Sequence, residues 1–248
     1  MSDTIASNYR NLKEKIRKTA EECDRNFKDL SLIAVSKGRT WAEMLPLYMA
    51  GQRAFGESRP QELLSKMEAA PHDVGWHFIG NLQRNKVRKI VGKVKMIHSV
   101  SSYPLALKIA ECSEEIGIVT SILLEVNISG EESKSGYSQD QWIGCFPELM
   151  RLPSISIVGL MTMAPELMEE GGERQKHGQG GGEIVMPSHM PPRACFAALR
   201  GFRDYLQERF CVSLPKLSMG MSSDYEEAIA EGATMLRIGS LLWASLHI

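Results

Sequence analysis

The chain has 248 residues, 43% of them apolar and 24% charged, which excludes a disordered chain and leaves room for a buried core. With 29 basic and 30 acidic residues the formal charge is -1, so no global field draws the protein to nucleic acid or to an anionic membrane. Five scattered cysteines (Cys23, Cys112, Cys145, Cys195 and Cys211) without a C-x-x-C pair argue against a disulfide framework and a cysteine zinc site, and point to a reducing, cytoplasmic setting. The first residues lack an apolar signal core and no long apolar run follows, so a soluble protein that is not exported is expected.

From Ile5 to Phe27 the positions Ile5, Tyr9, Leu12, Ile16, Ala20 and Cys23 recur at three- and four-residue steps among Lys, Arg and Glu, which predicts an amphipathic leading helix. Leu30 to Val35 reads as a strand closed by Ser36-Lys37-Gly38, and Thr40 caps a predicted helix through Tyr48 that Gly51 ends. The alternation then repeats. Further strands are predicted at Arg53 to Gly56, Trp76 to Gly80, Met96 to Val100, Val119 to Asn127, Ile155 to Thr162, Lys216 to Gly220 and Met235 to Trp243. Helices are predicted at Pro60 to Ala69, Asn85 to Val91, Pro104 to Ile116, Gln139 to Leu149, Ala194 to Phe210 and Asp224 to Glu231. Eight strands alternating with helices call for a parallel sheet, and eight such units in about 250 residues make a single (β/α)8 TIM barrel, an α/β fold, here with an extra N-terminal helix. An open doubly wound sheet is the alternative, but no G-x-G-x-x-G follows the first strand and no P-loop is present. Residues 166–193, rich in glycine and proline, read as a long flexible loop inserted in one domain spanning 1–248, either a surface insertion or a lid.

In such a barrel the functional groups collect at the C-terminal ends of the strands. Lys37 closes the first strand, and two readings are open there: an amine desolvated enough to act as a nucleophile, or a lysine reaching solvent from a strand end. Ser218 to Asp224 closes the seventh strand and opens a helix, while Gly232-Ala233-Thr234 and Arg237-Ile238-Gly239-Ser240 flank and fill the eighth. Loops at these two places, with small residues and free backbone N–H groups, form the usual phosphate site of this fold. Equally, Gly220 and Gly239 permit tight turns and Ser222 is an N-cap. A strand-end lysine with a phosphate cradle fits pyridoxal 5′-phosphate, which needs an amine for its aldehyde and a site for its anion. The six histidines show no metal-ligand spacing, and the basic run Lys86, Arg88, Lys89, Lys93 and Lys95 reads as a solvated face.

Several stretches then fall in one order: Ala34-Val35-Ser36-Lys37, Phe55-Gly56-Glu57 with Gln61-Glu62, Trp76 to Lys86, Val126-Asn127 with Lys134-Ser135-Gly136, Gly159 to Pro165, Leu217 to Asp224, and Gly232-Ala233-Thr234 with Arg237-Ile238-Gly239. By these the chain resembles the pyridoxal phosphate homeostasis protein family along nearly its whole length. The resemblance implies a fold-type III barrel, like the N-terminal domain of alanine racemase, with Lys37 as the Schiff-base lysine. It implies that Met221, Ser222 and Gly239 hold the phosphate with Thr234 nearby, and that Arg237 faces the pyridine nitrogen. His77, Asn81 and Asn127 then line the pocket, though each is equally read as a polar group closing a strand, and Lys134 is either a second amine near the cofactor or, beside Glu131 and Glu132, a solvated surface lysine.

The function implied is to hold, buffer and deliver pyridoxal 5′-phosphate in vitamin B6 homeostasis without catalytic turnover, as a monomer or weak dimer. Free cofactor and, transiently, apo-enzymes would be its partners, with no nucleic acid and no membrane. A single-domain pyridoxal-phosphate-dependent racemase or lyase is the alternative. In alanine racemase the second base is a tyrosine from an added β-domain, whereas here the chain ends at the eighth strand. Three departures stand out: Ser58 in place of the usual Asn, the long 166–193 loop, and the ending Trp243 to Ile248, which leaves no room for a full eighth helix. The leading helix is expected to cover that gap.

Overall fold

The computed structural model describes residues 2–131, 134–165 and 190–244. Eight parallel strands close in chain order into one barrel: β1 (Ser31–Val35), β2 (Ala54–Glu57), β3 (Gly75–Phe78), β4 (Met96–Val100), β5 (Thr120–Glu125), β6 (Ile155–Met161), β7 (Lys216–Ser218) and β8 (Met235–Ile238). The last strand pairs with the first, Ile238 opposite Ala34. A leading helix α1 (Ser2–Glu22) is followed around the barrel by α2 (Trp41–Met49), α3 (Pro60–Ala69), α4 (Tyr103–Glu115), α5 (Gln139–Leu149), α6 (Pro192–Phe210), α7 (Tyr225–Ala230) and α8 (Ser240–Trp243). This is the TIM barrel that the alternation of elements predicts.

Local chemistry sets the starts of these helices. Thr40 and Glu43 close a reciprocal capping box at α2, and Ser138 and Gln141 do the same at α5. Most boundaries shift by one or two residues and the leading helix ends at Glu22 rather than Phe27; three further differences have a local cause. Between β3 and β4 the predicted helix is a 3-10 turn over Arg84–Lys89. That stretch is short, and like charges at Arg84/Arg88 and Lys86/Lys89 face one another at helical spacing. The eighth strand stops at Ile238 rather than Trp243, because Leu241-Leu242-Trp243 is an apolar run that periodicity cannot separate into strand or helix. Helix α6 begins at Pro192, two residues earlier than expected, since proline lacks only an N–H that the first turn leaves unpaired. Residues 166–189 of the predicted loop lie outside the described residues.

The short α8 leaves a gap that α1 covers. Leu242 is fully buried, and the Asn8 amide donates to the carbonyls of Leu242 and Ala244, at 3.3 and 2.8 Å. These carbonyls would otherwise stay orphaned at a helix end.

Alternation along the strands divides the core. One face of each strand packs Phe55, Phe78, Ile97 and Leu124 against helix residues such as Trp142, Phe146 and Phe196. The other face fills the barrel with Ile33, Leu123, Met161 and Met235, flanked by Ala54, Met96 and Val158. Two residues further along the same face stand Gly56, His98, Glu125 and Arg237. An apolar floor therefore lies beneath a polar layer at the C-terminal mouth.

Two glycines make opposite demands. A Cβ on Gly159, just past the register shift between β5 and β6, would lie 1.8 Å from the Lys216 carbonyl oxygen, whereas one on Gly201, on the exposed face of α6, meets nothing within 4 Å. Gly159→Ala should cost roughly 3 kcal/mol or more, and Gly201→Ala should add about 0.5–1 kcal/mol, both read by urea unfolding.

Candidate functional site at the barrel mouth

The polar layer is joined by hydrogen bonds. Arg237 is 5% exposed; its Nη1 donates to Ser218 Oγ at 2.7 Å and its Nη2 to the Thr162 carbonyl at 2.9 Å. Ser218 Oγ lies 2.8 Å from His98 Nδ1, and His98 Nε2 lies 2.9 Å from His77 Nδ1. The direction of these bonds follows from the donors available. Arginine can only donate, so the buried Ser218 hydroxyl accepts from it and passes its own proton to His98 Nδ1. Neutral His98 then donates from Nε2 to His77. One chain of bonds thus crosses the barrel from β8 to β3.

Burial decides the charges in this layer. It pushes His77 down to about 4 and His98 well below its usual value, so both imidazoles are neutral at neutral pH. Arg237 is lowered by burial to about 10, with Glu125 and Asp224 opposing, and keeps its charge. Glu125, at the end of β5, is raised by burial to about 7 against the pull of Arg237.

Beside this layer, β7 and β8 end in loops rich in unpaired amides. The N–H groups of Ser222, Ser223, Gly239 and Ser240 meet no acceptor among the described residues. A Cβ at Gly239 would sit 3.4 Å from Val35 Cβ, ordinary contact, so the fold itself tolerates a methyl there. Met221, expected to offer its amide to an anion, has that N–H bound to Asp224 Oδ1 at 2.6 Å. Thr234 is a correction. It precedes β8 at the opposite end of the barrel, where its Oγ1 accepts from the Leu217 N–H, a whole strand away from Gly239.

Lys37 lies two residues past β1 and is exposed, which matches the second of its two readings, a lysine that reaches solvent from a strand end. His77 is buried in the wall and Asn81 is exposed on the rim beyond β3. The Asn127 amide is engaged in its own loop, donating to the Glu131 carbonyl at 2.9 Å and accepting from Gly130 N–H at 3.0 Å. That loop leads to Lys134, whose Nζ lies 3.5 Å from the Met163 carbonyl and 3.9 Å from Glu131. The sequence reading missed His98, Ser218, Glu125 and Thr162. For His98 and Glu125 the signal in the chain is a place two residues beyond the floor residues Met96 and Leu123; Ser218 and Thr162 stand at the end of β7 and just past β6 with no such spacing.

Glu125 makes the fold sensitive to pH. Its folded value, about 7, lies above the ordinary 4.5, so between these the folded state binds more protons than the unfolded chain and stability falls as pH rises. Glu125→Gln should be about 3 kcal/mol more stable than wild type above pH 8 and equal to it below pH 4, in thermal unfolding across that range.

A sequence profile described as "Alanine racemase, N-terminal domain" matches residues 2–246. The chain is 39% identical over 231 residues to the "Pyridoxal phosphate homeostasis protein" of Aquifex aeolicus, covering 93% of both chains. Among solved structures, PipY of Synechococcus elongatus PCC7942 with PLP bound is 32% identical, with a TM-score of 0.77 over 97% of this chain and all of that one. Alanine racemase of Clostridium difficile 630 shares the fold at 15% identity, with a TM-score of 0.71 over 99% of this chain and 58% of its own. The chain belongs to the pyridoxal phosphate homeostasis proteins, within the family of the alanine racemase N-terminal domain.

Proposed function

We propose that the barrel mouth holds pyridoxal 5′-phosphate and that the protein buffers the cofactor and hands it on to apo-enzymes. The observation that carries this reading is the convergence, on the neighbouring strands β7, β8 and β1, of amides without an acceptor among the described residues, a fixed buried arginine and an exposed lysine. The relatives named for pyridoxal phosphate homeostasis and the PLP-bound PipY structure support it.

When bound, the cofactor supplies an aldehyde that condenses reversibly with an amine and a ring that withdraws electrons. Lys37 would provide that amine. The N–H groups of Ser222, Ser223, Gly239 and Ser240 would hold the phosphate, with the Ser222 hydroxyl beside them. Arg237 would stand at the ring nitrogen. It remains charged at neutral pH and can only donate, so it offers a hydrogen bond without giving up its proton, which favours holding over turnover. His77 and His98, neutral there, add a polar wall without a positive charge. Asn81 would stand on the rim and Asn127 would shape the loop that bears Lys134. The protein would work as a monomer or weak dimer, meeting its acceptor enzymes transiently.

One observation favours a second reading, turnover of an amino acid as a racemase or lyase. Glu125 is a buried carboxyl titrating at about 7, suited to taking and returning a proton. The two readings separate when loaded protein is mixed with an apo-enzyme and, in parallel, incubated with L- and D-amino acids in D₂O. Reactivation without α-deuterium exchange is expected, and exchange on a catalytic timescale would overturn the carrier reading. At the phosphate end, Gly239→Ala should leave the thermal midpoint unchanged yet weaken cofactor binding roughly tenfold in a titration, the loss of about one charge-assisted contact.

A further inference from the structure

Beneath the peptide that carries Lys37 lies a group of charged side chains that the mouth chemistry does not use. Lys66 of α3 and Glu57 of β2 form an ion pair at 2.5 Å with side chains 8% and 0% exposed. Lys66 Nζ also donates to the Ser36 carbonyl at 2.7 Å, and the Ser36 hydroxyl donates to Glu57 Oε1 at 2.5 Å. On the far side of Lys37, the Gly38 N–H donates to Glu62 Oε2 at 2.9 Å, and that same oxygen lies 3.6 Å from Lys66 Nζ. The peptides before and after Lys37 are therefore both tied to α3.

The sheet alone does not fix this segment. Strand β1 ends at Val35, and past it the ladder contributes one bond, from Ser36 N–H to the Gly56 carbonyl at 3.0 Å. Lys37 then enters a turn in which Gly38 has φ +70°. A long, exposed lysine on such a turn has many directions to point, and only the backbone beneath it can limit them. Burying a charged pair is costly to the fold, and an apolar pair of similar volume would fill the same space. What an apolar pair could not supply is the set of donors and acceptors that bind Ser36, since an ammonium reaches three acceptors at once.

We propose that Lys66 and Glu57, with Glu62 at the rim, are positioning residues that hold the Ser36-Lys37-Gly38 peptide so that the Lys37 amine meets the aldehyde of bound cofactor. This rests on the cofactor reading given above. The clamp acts on the amine and not on the phosphate, which lies on the loops after β7 and β8. Its loss must therefore separate two ligands that share a phosphate and a ring but differ at one carbon: pyridoxal 5′-phosphate, which has the aldehyde, and pyridoxine 5′-phosphate, which has an alcohol there.

The test measures, for wild type and Lys66→Met, the fraction of Lys37 trapped by borohydride at limiting pyridoxal 5′-phosphate, and the affinity for pyridoxine 5′-phosphate. The clamp predicts trapping lower on the order of tenfold with alcohol affinity kept within about twofold. Because Lys66→Met strands the Glu57 charge, the double variant Glu57→Leu/Lys66→Met, which leaves no unpaired ion, is measured alongside. Glu62→Ala, which removes the acceptor of the Gly38 N–H and leaves the Lys66–Glu57 pair and the Ser36 bonds in place, should give an intermediate loss. Unchanged trapping in a folded variant, or an equal loss for both ligands, would overturn the positioning role. A wild type that forms no adduct on Lys37 would instead overturn the cofactor reading beneath it.

Discussion

A guanidinium drawn inside a barrel sets the terms for this structure. Arg237 cannot shed its proton at neutral pH, so its burial requires acceptors, and the barrel provides them from two other strands, the Ser218 hydroxyl at the end of β7 and the Thr162 carbonyl just past β6. Meeting that requirement fixes the next: Ser218 must place its own proton, His98 receives it, and His77 receives from His98. The arginine thus determines the tautomers of two histidines on strands across the barrel, and Glu125 answers its charge from β5.

The apolar floor makes such a layer tolerable. Ile33, Leu123, Met161 and Met235 close the barrel below, so the polar groups gather at the C-terminal end, where the mouth opens and the loops after β7 and β8 hold amides that meet no acceptor among the described residues. On the outside, the clamp of Lys66 and Glu57 repeats the same logic between strand and helix, one buried charge answered by another, Lys66 tied to the Ser36 carbonyl and Glu57 to the Ser36 hydroxyl. The apolar α1 face completes the ring of helices where α8 is too short, through Leu242 and the Asn8 amide.

Much of this was legible in the sequence, for identifiable reasons. Strands and helices of strong period, such as Met96–Val100, Pro60–Ala69 and Gln139–Leu149, coincide with expectation because the pattern is clear and, in the helices, Pro60 at the first position and the Ser138 capping box mark the start. The eighth strand was overextended because Leu241-Leu242-Trp243 is apolar on every face, and tertiary contacts to α1 decide its conformation. Among the site residues, Lys37, Gly239 and Arg237 stand at the mouth, since a strand-end position can be counted along the chain. Thr234 was misplaced because a motif close in sequence spans both ends of a strand. The pairs that hold the site, His98 with Ser218 and Glu57 with Lys66, join residues 120 and 9 positions apart through space, and no local spacing encodes them.

The central claim is that the amine serving this mouth is that of Lys37. Its most direct measurement is to incubate the protein with pyridoxal 5′-phosphate, reduce with borohydride, and map the modified lysine by mass spectrometry of the digested chain. The account predicts one stoichiometric modification, on Lys37, that excess inorganic phosphate diminishes. Modification centred on Lys134, or spread over surface lysines and indifferent to phosphate, would contradict it.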